Sequence, residues 1–204
     1  MGKYDVVALG ELLIDLTQNG LSVQGNPTLE ANPGGAPCNV LALLSKLGHK
    51  TAFIGKVGQD GFGNQLEEAL VETGISAEGL CRDKAVHTTL AVVHTFADGD
   101  RDFSFYRNPG ADMRLTTEEV NMELIRQAKI FHFGTLSMTD EPVRSAMAIE
   151  VESDHGNAFL VEAVYEAVEE FSLLIAAKSM AEHEERSLLA CLRFGICLEF
   201  IFLH

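Results

Sequence analysis

Apolar residues follow two rhythms along this chain. Short unbroken runs, "YDVVAL" (4–9), "TAFIGKV" (51–57) and "AKIFHFG" (128–134), read as strands buried on both faces. "VHTTLAVVHTF" (86–96) and "RDFSFYR" (101–107) read as a hairpin around "ADGD". Between the strands the spacing turns helical. One helix is predicted from Pro37 to Leu47, with Leu41, Leu43, Leu44 and Leu47 apolar and Gly48 as its stop. A second runs from Gly61 to Glu72. A third starts at a capping box, Thr116 with Glu119 three residues on, before Val120, Leu124 and Ile125. Strand, helix, strand succession at these lengths predicts right-handed crossovers and a mainly parallel sheet in an α/β domain.

The texture changes near residue 150. From 151 to 204 there is no proline and there are two glycines, Gly156 and Gly195; ten acids face three bases, a net of −7. "EAVYEAVEEFSLLIAAKSMAEHEERSLLACLRFG" reads as one or two helices with a broad apolar face. The expected organisation is therefore an α/β portion over 1–148 and a divergent, mainly helical tail over 149–204.

Composition narrows the function. A formal charge of −15 on 204 residues argues against nucleic acid or an anionic membrane surface as partner. Cys38, Cys81, Cys191 and Cys197 form no CxxC pair and no zinc spacing with histidine, so no metal site is expected. Reduced thiols point to the cytoplasm. The N-terminal "MGKYDVVALGELLIDL" is broken by Asp5, Glu11 and Asp15 and is neither a signal peptide nor a membrane span.

Four stretches carry candidate chemistry. In "NPGGAPCN" (32–39) two glycines let a ligand approach the backbone, and Pro37 fits the first turn of a helix whose free N–H groups point outward. The same stretch also reads as an ordinary tight connection between strand and helix. "GELLIDL" puts Asp15 just past the first strand, either a hydroxyl acceptor at the carboxyl edge of an open sheet or a solvated turn residue. "GKVGQDGFG" is not a dinucleotide fingerprint, and no GxxxxGK[ST] occurs. In "FYRNPGADM" (105–113), Phe105 and Arg107 fall on one face of a period-two strand, a pairing that suits a polyol, or else Phe105 is core and Arg107 a surface charge.

Together, "ALGELLIDL", "NPGGAPCNVLALLSKLG", "AFIGKVGQDGFG", "FYRNPGADM" and "IFHFGTLSM" resemble, in collinear order over residues 4–140, the N-terminal half of the ribokinase-like (PfkB) sugar kinases, and within them most the fructokinases. The resemblance implies a three-layer α/β sandwich with a small β lid built from segments near 12–33 and 86–107. It implies sugar binding by Asp15, Gly34, Gly35 and Asn39, with Phe105 and Arg107 on the lid, and a homodimer formed through the lid. Fructose or a similar hexose is the expected partner, with ATP and Mg²⁺ as cofactors. Leu41 and Cys38 depart from the family's small residues.

A larger departure follows. The family's Gly-Ala-Gly-Asp motif with its catalytic base and its "NLR" segment do not occur in this chain, and the Asn-x-x-Glu motif of its C-terminal half is not found after residue 148. No catalytic, ATP-binding or metal-binding residue is therefore assigned, and the chain is expected to be truncated, frameshifted or divergent after about 148. Three outcomes follow: a sugar kinase by ancestry with weak or absent activity, a non-catalytic sugar-binding or interaction module, or an inactive fragment.

Overall fold

The computed structural model describes residues 2–95, 101–152 and 199–203. Its centre is a five-stranded sheet built from β1 (Tyr4–Leu9), β4 (Thr51–Gly58), β5 (Ile75–Asp83), β8 (Ala128–Gly134) and β9 (Glu199–Leu203), in the order β5-β4-β1-β8-β9. β1 pairs in parallel with β4 and β8, β4 in parallel with β5, and β9 closes the far edge antiparallel to β8. The predicted buried runs are these central strands. Every residue of β4 is buried, as a strand covered on both faces requires.

Helix α1 (Ala36–Lys46) and helix α2 (Gly61–Thr73) cover one face. Val6, Ala8, Phe53 and Val57 from the sheet pack there with Leu41 of α1 and with Leu66 and Leu70 of α2. α1 opens with Pro37 in its first turn, where the missing N–H costs nothing. α2 is capped by Asp60, whose carboxylate accepts from the Gly63 N–H, and ends at Gly74 in the left-handed conformation, φ 83°. Helix α3 (Met122–Arg126) lies on the opposite face, its Leu124 beside Ile54 at Gly79. Helix α4 spans Val143–Glu152.

A separate four-stranded sheet has the order β3-β2-β6-β7, from β2 (Leu13–Leu21), β3 (Pro27–Gly34), β6 (Leu90–Thr95) and β7 (Arg101–Tyr106). β2 pairs antiparallel with β3 and parallel with β6, and β6 pairs antiparallel with β7. Ile14, Leu16, Ala31 and Leu90 on one face join the core cluster. These segments are the ones expected to form the lid. By contact pattern the chain divides into residues 1–147 with 197–204, and a second unit over 148–196.

Three elements differ from expectation. The Thr116/Glu119 box does not start a helix: it closes a single 3-10 turn, Thr117–Glu119, and α3 begins afresh with Asn121 as its cap. Val120 leaves helical geometry, φ −70° and ψ 121°, and Glu119 is drawn to the buried Lys56, 2.7 and 2.9 Å from its ammonium. β6 starts at Leu90, not at 86, because Asp60 and Asp83 take up the N–H groups of Ala85, Val86 and Thr88. β5 carried no clear signal, since only Ile75 and Gly79 of its nine residues are buried. The helical tail expected over 149–204 lies outside the described residues except for the end of α4, while the closing strand β9 lies within them.

Candidate sugar site

The chain leaves β1 through Gly10 and Glu11 and passes straight into β2, so the carboxyl edge of the large sheet meets the root of the small one. Open α/β sheets hold ligands at this edge. A Cβ on Gly10 would strike Pro37 at the head of α1, and one on Gly134, at the end of β8, would meet Pro37 at 2.8 Å and Glu11 Oε2 at 3.0 Å. The ends of β1 and β8 and the start of α1 therefore converge on the Pro37 ring and the Glu11 carboxylate, with no room for a side chain at Gly10 or Gly134.

Two glycines form the next layer. A Cβ on Gly34 would collide with the Asp15 carboxylate, and one on Gly35, at φ 120°, with the Glu11 carbonyl. Both positions demand glycine, the first for close approach and the second also for its backbone conformation. The main chain at Gly34 thereby lies bare against Asp15. Gly35 has no side chain with which to cap α1; instead Glu11 Oε1 accepts the Ala36 N–H at 3.1 Å. Glu11 is 2% exposed, and this burial pushes its carboxyl above the usual range.

Asp15 is half-buried, and among the described residues no donor reaches its carboxylate. Burial raises its pKa as well, because nothing offsets the lost hydration. Register places it opposite Asn32 on β3 and beside Ala91 on β6, and Ala91 lies opposite Phe105 on β7. Asp15, Ala91 and Phe105 thus form one row across the small sheet, on the face opposite Ile14, Leu16 and Leu90, with Ala91 itself buried. Two strand spacings put Asp15 and Phe105 roughly 10 Å apart over a small alanine. Phe105 is itself stacked on Phe103, 6.1 Å between centroids and 18° between planes.

Arg107 departs from the period-two reading. β7 ends at Tyr106, so Arg107 is not a strand residue facing as Phe105 does. Its guanidinium turns back to Asp112, Nε donating to Oδ2 at 2.8 Å with Nη2 2.6 Å from the same oxygen. Asn39 is exposed one turn into α1, with its side chain unbonded among the described residues and its N–H on the Gly35 carbonyl at 3.0 Å. Glu11 and Asp112 were inside the quoted motifs without being singled out. An acid at the end of a predicted strand and one after a glycine turn were the available signals. Among the described residues, no group of three or more His, Cys, Asp or Glu could hold a metal ion, and no helix is long and apolar enough to cross a membrane.

A family model described as "pfkB family carbohydrate kinase" matches residues 3–168. A fructokinase of Solanum tuberosum is 48% identical over 155 residues, covering 74% of this chain and 49% of the relative. A probable fructokinase of Arabidopsis thaliana is 46% identical over 158 residues, 76% of this chain and 48% of the relative. Among solved structures, the fructokinase from Xylella fastidiosa superposes with a TM-score of 0.67 at 32% identity, covering 76% of this chain and 47% of that one. An uncharacterized sugar kinase from Pyrococcus horikoshii in complex with ATP does so with a TM-score of 0.65 at 32% identity, covering 72% and 48%. The chain spans about half the length of the curated relatives it matches.

Proposed function

The chain belongs to the pfkB family of carbohydrate kinases, and from that premise we propose that it binds a small sugar, fructose or a similar hexose, between the head of α1 and the small sheet. Asp15 accepts two sugar hydroxyls, the backbone at Gly34 and Gly35 and the amide of Asn39 line the floor, and Phe105 offers its ring to the C–H face of the sugar. Arg107 donates to a hydroxyl at the rim. The observation that carries this reading is the Asp15 carboxylate, half-buried, unpartnered and set against bare backbone. A carboxylate so placed has lost water without gaining a donor, and a polyol restores what it lacks.

Phosphorylation of the bound sugar by ATP is the reaction the relatives' names imply. In such a reaction a base must reach the attacking hydroxyl and cations must neutralise the phosphates. The described residues do not fit the metal part of that role: they offer no cluster of three or more His, Cys, Asp or Glu to hold a cation. We therefore derive no transfer step for this chain and assign it the sugar-holding part of the work. Free Cys38 and Cys81 suit a reducing cytoplasm, and the small sheet, with Phe103, Phe105 and Tyr106 exposed on β7, is the surface through which two copies would pair.

Titration calorimetry with fructose tests the reading. The unmutated chain should bind, and Asp15→Ala should weaken binding at least about tenfold, the loss of two charge-assisted hydrogen bonds. Absence of heat from the unmutated chain, or equal affinity in the variant, would end it. A coupled assay with ATP and fructose separates binding from catalysis, with a rate at the buffer blank expected.

A further inference from the structure

The small sheet is rooted in the body at two points in the chain, Thr89 just before β6 and Arg107 just after β7, and both are bound by one side chain. Asp112 Oδ1 accepts the Thr89 hydroxyl at 2.5 Å, and Asp112 Oδ2 accepts Arg107 Nε at 2.8 Å. Asp112 is 2% exposed and Thr89 1% exposed, so neither bond competes with water. A Cβ on Gly110 would overlap the Thr89 hydroxyl and meet Asp112 Oδ1 at 2.7 Å, which keeps that position bare over the knot. The Ala111 N–H donates to the His87 carbonyl at 2.9 Å, holding the acid's own turn in place.

The neighbouring residue is anchored separately. Thr88 gives its N–H and its hydroxyl to Asp60, both at 2.8 Å, and accepts the Gly58 N–H at 3.0 Å. The Thr89 carbonyl accepts the Ile14 N–H at 3.1 Å, so β2, which carries Asp15, hangs from the same residue. Asp60 thus fixes the approach to β6, while Asp112 ties the residue before β6 to the residue after β7, beyond the antiparallel ladder that pairs the two strands.

We propose that Asp112 is a positioning residue: by binding Thr89 and Arg107 at once, it sets the orientation of the Arg107 guanidinium and the seating of the β6–β7 hairpin beside β2, which carries Asp15. Arg107 has more donors than Asp112 can take, and the remaining ones point where the held guanidinium aims them. Asp112 itself, with both oxygens engaged and no exposure, does not touch the sugar. The part of this proposal that concerns sugar rests on the binding reading given above; the mechanical part does not.

The full chain therefore serves for two measurements. In amide hydrogen exchange, Asp112→Asn, which keeps the shape but leaves one acceptor, and Thr89→Val, which removes one bond, should each speed exchange across Leu90–Thr95 and Arg101–Tyr106 about tenfold while Thr51–Gly58 stays protected. Unchanged exchange in the small sheet for both variants overturns the proposal. Should Asp112→Asn loosen Thr51–Gly58 as well, Thr89→Val decides, because it leaves the ion pair intact. In fructose titration, Asp112→Asn should weaken binding about tenfold in the native background and not at all in an Arg107→Ala background. Equal losses in both backgrounds would show that Asp112 does not act through Arg107 and would overturn it. If the unmutated chain binds no fructose, the sugar reading fails, and the exchange measurement still decides the anchor.

Discussion

β4 and β7 are both strands of this chain, and they face opposite conditions. All eight residues of β4 are buried, with Phe53 fully enclosed by α1, α2 and the neighbouring strands. β7 is an edge strand whose Phe103, Phe105 and Tyr106 are exposed. Hydrophobic burial explains most of the first strand, with Lys56 the charged residue on it, paired to Glu119 and Asp83. It does not explain three exposed aromatic rings on the second, two strands from the Asp15 carboxylate, which no donor reaches among the described residues. The large sheet is organised by packing, and the proposed sugar site would account for the small one.

Truncation in the two regions is the strongest way to break that contrast. Phe53→Ala removes a ring with no exposure and leaves a cavity in a dense core, so it should cost about 3–5 kcal/mol in urea unfolding. A loss below about 1 kcal/mol would mean that the β4 core is loosely packed and that the comparison with β7 is misdrawn.

A second test concerns charge at the junction of the two sheets. Glu11 and Asp15 both have carboxyl pKa values raised by burial; at Glu11 backbone N–H donors and, less, the charge of Arg107 oppose the rise, and the charge of Asp112 adds to it. A carboxyl whose folded pKa lies above its unfolded value holds its proton longer in the native state. Its contribution is therefore full below the unfolded value, near 4.5 for Glu11, and is lost as pH rises through the folded value. Unfolding free energies from pH 4 to 8 should show this decline, while the opposite trend from Asp60 and Asp83, whose pKa values are lowered from 3.8 by backbone N–H donors, falls mainly below that range. Glu11→Gln keeps an acceptor for the Ala36 N–H and should flatten the decline; Glu11→Ala, without the acceptor, should also lose about 1 kcal/mol at every pH. Parallel curves for the Gln variant and the unmutated chain would place no titrating charge at Glu11.

How far the chain could be read without coordinates follows the same division. β1, β4 and β8 are continuous apolar runs, and the requirement to bury both faces writes them into the local sequence. β5 does not show, because an edge strand with Gly79 and charged residues meets only half of that requirement. The box at Thr116 was a sound local signal, overridden by the buried Lys56 reaching for Glu119 across the fold. Asp15, the glycine pair and Phe105 could each be picked out from a motif. Their alignment could not, since the row depends on β2 pairing in parallel with β6, a contact between distant segments that no periodicity encodes. The same holds for Asp112, which lies in a visible motif while its partner Thr89 sits in another segment.

The smallest effect sharpens the contrast most. Phe105 is 43% exposed, so Phe105→Ala forfeits only part of a ring's burial and should cost about 1 kcal/mol of unfolding free energy, well short of Phe53→Ala. Its ring is stacked on Phe103 in an edge strand, where aromatic pairs contribute about 0.5–1.5 kcal/mol, and that pair would be the source of any loss seen. Fructose affinity should nevertheless fall a few-fold, because the ring is the apolar wall opposite Asp15 in the row through Ala91. Stability and affinity would then part company on β7, whereas on β4 they cannot, since the core carries the sheet edge on which the site is built. A Phe105→Ala chain as weakened in stability as Phe53→Ala would show instead that β7 is core, and that its exposed rings have no separate task.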